Sequence, residues 1–158
     1  MQWAAWAGVM GRVTPAIVVN GVIGYTQIRS ASIGVSSPLD GITVVAEVTW
    51  HARRGTALSA GYDKGLEDSF FTGTMHWHYV FARWEQMLGS RLGVGLEGGT
   101  RFELYKGAVS YPDTVTKTEA SISYHLADHV DVLVAGGFWN RATAGWDAPV
   151  RGEVTFSW

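Results

Sequence analysis

Polar and apolar residues alternate along most of this chain with a period of two. The clearest stretch runs from Arg91 to Leu104. Leu92, Val94, Leu96, Gly98, Thr100, Phe102 and Leu104 fall on one side, and Arg91, Gly93, Gly95, Glu97, Gly99, Arg101 and Glu103 on the other. Successive side chains of a strand point to opposite faces, so this segment reads as a strand with one apolar and one charged face. Residues 42–53 repeat the pattern, with Ile42, Val44, Ala46, Val48, Trp50 and Ala52 opposed to Thr43, Val45, Glu47, Thr49, His51 and Arg53. So do 119–126, 130–141 and 150–158. Their apolar sides carry Ile122, Tyr124, Val132, Val134, Phe138, Val154, Phe156 and Trp158, and their polar sides Glu119, Ser121, Ser123, His125, Asp131, Arg141, Arg151 and Glu153.

Three segments are less regular. Residues 57–63 set Leu58, Ala60 and Tyr62 against Ser59, Gly61 and Asp63. In 73–84, Met75, Trp77, Tyr79 and Phe81 oppose Thr74, His76, His78 and Val80, and the aromatic side reads as the apolar one. Residues 16–28 are apolar on both sides and read as strand from their β-branched content. A further strand at 2–12 brings the expected count from eight to nine.

The connections alternate in length. Short ones fall at 13–15, 54–56, 88–90 and 127–129, and long ones at 29–41, 64–72, 105–117 and 142–149, rich in Ser, Gly, Asp and Pro. Short turns at one end and long loops at the other is the plan of an outer-membrane barrel, with the short turns periplasmic. The expected fold is therefore all-β: one antiparallel up-and-down transmembrane β-barrel domain over 1–158, of eight or nine strands.

Alternation alone fits a soluble barrel equally well. Composition separates the two. Trp, Tyr and Phe total 20, eight of them Trp, and charged residues are only 16%. Trp50, Tyr62, Trp77, Tyr79, Tyr124, Phe138, Phe156 and Trp158 sit near segment ends, as interfacial girdles require. The charged side recurs strand after strand, and it gives a lumen row of Glu47, His51, Arg53, Glu97, Arg101, Glu103, Glu119, Asp131, Arg141, Arg151 and Glu153. Net charge is −2 with no basic stripe, which gives no support to a nucleic-acid partner. The absence of Cys excludes thiolate metal sites. Met1 to Trp6 lacks the basic segment of an export signal. An odd strand count with no signal favours a chain that is the C-terminal part of a larger barrel.

Trp50-His51-Ala52-Arg53-Arg54-Gly55-Thr56-Ala57-Leu58, Tyr124-His125-Leu126-Ala127-Asp128-His129-Val130 and the closing aromatic strand resemble the C-terminal half of the β-barrel porin 2 family. The resemblance covers about residues 40 to 158. It implies an outer-membrane porin-like channel for a hydrophilic solute, in some members linked to exopolysaccharide export, with a periplasmic export complex as partner. The ending Val154-Thr155-Phe156-Ser157-Trp158 is similar to the signature read by the barrel assembly machinery. No catalytic residue and no cofactor follow from it.

His76 and His78 share a face, but a closed zinc site needs about four ligands. Ser123, His125 and Glu119 share the polar face, yet lie by a short turn on the lumen side, away from an outer-leaflet lipid substrate. Trp139 and Leu133, on the polar side, suit a sugar-stacking platform or a constriction. Tyr111-Pro112-Asp113 and Trp146-Asp147-Ala148-Pro149 read as exposed loops. The expectation is a non-enzymatic transport protein; a closed, non-conducting eight-stranded anchor or adhesin is the alternative.

Overall fold

A computed structural model describes residues 2–28, 39–69, 73–106, 111–127, 130–142, 145–147 and 150–156. Among them there is strand and turn and no helix. The strands are β1 (Gln2–Thr14), β2 (Ile17–Ile28), β3 (Leu39–Arg53), β4 (Thr56–Ser69), β5 (Gly73–Leu88), β6 (Leu92–Lys106), β7 (Tyr111–Ala127), β8 (Val130–Arg141), β9 (Gly145–Asp147) and β10 (Val150–Phe156). From β1 to β8 each strand pairs antiparallel with its chain neighbour in one sheet. β9 lies along Trp139–Arg141 and β10 along Val130–Gly136, so the two share one strand position beside β8. The segment 2–12 is thus a full strand, and nine positions follow in an up-and-down order. The sheet is barrel-like but open. Among the described residues no register joins β1 to β9 or β10.

Tight turns at one end reverse the chain between β3 and β4 and between β5 and β6. Gly55 and Gly89 take φ of 80° and 83° there, a backbone that glycine adopts without steric cost. At the other end the strands outrun the sequence expectation. The segments 64–69 and 105–106, expected in loops, continue β4 and β6, and 111–117 is the start of β7. Asp, Lys, Gly and Glu are poor strand formers, but unbroken pairing from Lys64↔His78 to Ser69↔Gly73 and from Leu104↔Pro112 to Tyr105↔Tyr111 overrides that preference. Among the described residues the β7–β8 register ends at Val115↔Arg141, with one further bond from Ala142 N to Thr114 O, so Pro112 lies where β7 has no described neighbour on that side, a position that tolerates proline.

The registers assign every described side chain to one of two faces. One face holds the contacts that skip a strand: Trp6 of β1 with Thr43 of β3, Glu47 of β3 with Arg83 of β5, Glu67 of β4 with Arg101 of β6, and Glu103 of β6 with Arg141 of β8. Alternate strands of a flat sheet lie roughly 9–10 Å apart. Side chains reach across only where the sheet curls toward them, so this is the concave face. The convex face of β5–β8 carries Val80, Trp84, Leu96, Phe102, Leu104, Ile122, Tyr124, Val134 and Phe138, all exposed. No Asp, Glu, Lys or Arg side chain described there interrupts them. The few buried apolar side chains, Met75, Val115 and Ala135, are all concave.

Candidate functional site

The concave face of β4–β8 is built from small and charged residues in alternation. Its centre is Glu97. Tyr79 Oη donates to Glu97 Oε1 at 2.8 Å, and Arg83 donates to Oε2 through Nε at 2.9 Å and Nη2 at 2.8 Å. Lys117 Nζ bridges Glu97 at 3.3 Å and Glu119 at 3.4 Å. Arg83 also reaches Glu47, 3.9 Å away on β3. Nearer the long-loop end, Arg141 Nη1 donates to Glu103 Oε2 at 2.6 Å, to Asp113 Oδ2 at 2.9 Å and to Tyr105 Oη at 3.0 Å. Glu103 and Asp113 are only 4% and 5% exposed. Charges this buried are retained only when paired and hydrogen-bonded. Arg101 Nε lies 3.0 Å from Glu103 Oε1, but its N–H is not aligned for a hydrogen bond, so this contact is Coulombic.

Aromatic rings lie across glycines of neighbouring strands. Phe81 covers Gly61, Trp77 covers Gly65 and Trp6 covers Gly24, and a Cβ on any of these glycines would overlap the ring. Tyr79 sits over Gly99 in the same way. At these four glycines of the concave face the missing side chain makes room for the neighbour's ring. The rings in turn carry cations. Arg101 lies 4.7 Å from the Trp77 ring centre, Arg83 5.3 Å from Phe81 and Lys117 5.7 Å from Trp139, in the range of cation–π attraction. A cavity of about 200 Å³ opens between Asp63, Trp77, Arg101, Lys117, Trp139 and Arg141. A second, of about 320 Å³, lies toward the short turns among His51, Glu85, Ser121, Ser123 and Leu133.

Of the expected lumen row, Glu47, His51, Glu97, Arg101, Glu103, Glu119 and Arg141 share the concave face. Arg53 does not. The register slips between His51 and Arg53, which takes Arg53 out of the alternation and leaves it exposed at the turn, 3.3 Å from Thr56 Oγ1. The side chains of Asp131, Arg151, Glu153 and Phe156, and residue Trp158 altogether, lie outside the described residues. Trp50, Tyr62, Tyr124 and Phe138 stand on the convex face. Trp77 and Tyr79, expected there, are concave. Hydrophobicity read over 73–84 alone points the wrong way. The parity of Arg83 and Glu85, on the same strand with no bulge, would have placed both rings among the charges.

Arg83, Lys117 and Asp113 are concave residues absent from the expected lumen row, the last two because their segment reads as loop, and Asp63, read on the polar side of its strand, joins them. Trp3, Tyr25 and Trp84 of the convex face were also missed. Trp3 Nε1 donates to Gln27 Oε1 at 2.7 Å and the Tyr25 hydroxyl donates to Asp40, so apolar rings there carry satisfied polar tips. His76 and His78 are convex, with His78 Nδ1 2.7 Å from Tyr62 Oη. Ser123, His125 and Glu119 are concave, as are Leu133 and Trp139. Of the two segments read as exposed loops, Asp113 is instead buried in β7 and Trp146-Asp147 belongs to β9, while Ala148 and Pro149 lie outside the described residues.

No family model, curated protein or solved structure matches this chain.

Proposed function

We propose that this chain forms the wall of an outer-membrane β-barrel, its convex face in lipid and its concave face lining a water-filled passage for a hydrophilic solute, in the manner of a porin. One observation carries the reading. Burial is inverted: Phe138 is 64% exposed and Leu96 49%, whereas Glu103 and Asp113 are buried. In water an exposed apolar area this continuous is a liability. In a bilayer it is the favourable solvent contact, and charges then belong on the inner side. The resemblance to the β-barrel porin 2 family points the same way, and it adds an exopolysaccharide chain as a candidate solute. Insertion by the barrel assembly machinery through the C-terminal strand belongs to the same reading.

The ion-paired ladder on β5–β8 favours a second reading, in which a closed barrel is filled by its own side chains and serves as an anchor or adhesin. Planar-bilayer recording separates them. A porin-like wall gives stepwise conductance increments from purified protein. A folded, heat-modifiable protein that never conducts is the filled anchor.

A further inference from the structure

Among the Lys and Arg side chains described, all but Lys64 of β4 fall into two populations. On the concave wall, Arg83, Arg101, Lys117 and Arg141 each lie within 4 Å of two carboxylates. At the short-turn end the opposite holds. Arg12, at the close of β1, Arg53 and Arg54, at the β3–β4 turn, and Arg91, at the β5–β6 turn, are all exposed. Among the described residues none of the four has an ion pair within 4 Å. Among the described residues, the wall that matches each of these cations with two acids thus leaves four guanidiniums without an acid at one rim.

That rim borders the apolar belt. Trp50 and Trp84 stand on the convex face in one paired row, Trp50↔Leu58↔Trp84↔Leu96, and exposed Leu88 lies between them and the β5–β6 turn. Indoles favour the bilayer interface, and an arginine stem lies along apolar surface while its head stays polar. A guanidinium fork matches a phosphate through two parallel hydrogen bonds. Such a rim fits a phosphodiester headgroup of net negative charge better than a zwitterion, whose own ammonium competes for the phosphate.

Building on the lipid-facing reading above, we propose that the short-turn end is seated on anionic phospholipid headgroups, with Arg54 and Arg91 pairing with their phosphates. The occupant is the membrane leaflet at that end.

The test uses the whole chain in phosphatidylcholine vesicles containing a minor fraction of phosphatidylglycerol. Spin-labelled forms of the two lipids report, by electron spin resonance, which is held at the protein boundary. The expected result is a severalfold preference for phosphatidylglycerol, up to about fivefold for each arginine near the surface. It should fall to parity in the R54Q/R91Q double variant and in molar salt, because exposed charge pairs are screened. Both substitutions are at exposed turns, and heat-modifiable gel mobility checks that the variant folds. Equal retention of the two lipids by the unmodified protein overturns the proposal. So does a preference erased by inorganic phosphate but kept in sodium chloride of equal ionic strength, which would make the rim a site for soluble anions. If neither lipid shows a motionally restricted component, the lipid-facing reading itself has failed, a separate and recognisable outcome.

Discussion

The two ends of the sheet are built on different rules. Along β1 and β2 the concave face carries Trp6, Met10, Val18 and Val22, so both faces are largely apolar, and the first concave acid beyond them is Glu47 of β3. Along β5–β8 the concave face is a network in which Glu97 and Glu103 each hold more than one cation. A strand apolar on both sides loses little when it slips by one residue, because either face serves either side. A strand that must return Arg83 to Glu97 and Arg141 to Glu103 has one register. The charged wall therefore specifies the sheet, and the N-terminal wall is the adaptable part, ending in a β1 edge that is unpaired among the described residues. β1 has no proline and a single charge, Arg12, near its end. Natural edge strands usually carry such features as protection, and β1 lacks them.

This contrast can be broken by measurement. The largest difference is expected from the choice of face. Val80→Lys puts a charge on the convex side and should cost about 2–4 kcal/mol if that residue lies near the bilayer midplane. Val45→Lys, concave beside Asp63, should change stability by about 0.5 kcal/mol. Folding yield into vesicles as a function of urea gives both values.

Next comes the buried acid. Glu103→Gln takes one of two carboxylates from both Arg101 and Arg141, leaving them Glu67 and Asp113, and should cost about 1.5–3 kcal/mol. Glu47→Gln, at a partly exposed pair 3.9 Å long, should cost less than about 1 kcal/mol. Urea unfolding of refolded protein in micelles compares them, and equal losses would erase the distinction between the walls.

Glycines offer a smaller contrast. A Cβ at Gly99 would meet the Tyr79 ring and the Val80 carbonyl oxygen, each at 2.6 Å, whereas nothing lies within 4 Å at Gly21 of β2. Gly99→Ala should therefore destabilise by about 1–3 kcal/mol. Gly21→Ala should be neutral or stabilise by up to about 1 kcal/mol. The smallest effect is expected for Trp6→Phe, which loses the 3.2 Å hydrogen bond to Thr43 but keeps a ring over Gly24. It should shift the unfolding midpoint by the equivalent of about 1 kcal/mol or less.

Where alternation was clean, the sequence carried the architecture. The faces of 42–51, 91–104 and 119–126 read directly, because every charged residue there falls on one side and only Val45 and Thr100 depart from the pattern. Two kinds of information were hidden. One was the extent of the strands: Lys64, Glu67, Lys117 and Asp113 look like loop, and only pairing with partners far along the chain turns them into strand. The other was the face of Trp77 and Tyr79, where aromatic rings serve as lining over glycines. Ring size suggested the apolar side, and only the parity of Arg83 contradicts it. Arg53 was misplaced for a third reason, since a single-residue register slip leaves no mark in composition.

The central claim is that the two faces meet different solvents. The chain has no cysteine, so single cysteines can be placed at each position from Leu92 to Leu104 and labelled with an environment-sensitive fluorophore in vesicles. Their response should alternate with a period of two. Probes at convex positions such as Leu96 and Phe102 should be blue-shifted and quenched by nitroxide-bearing lipid, and probes at concave Gly95 and Arg101 quenched by iodide from water. Uniform response along β6, or lipid contact at the concave positions, would contradict it.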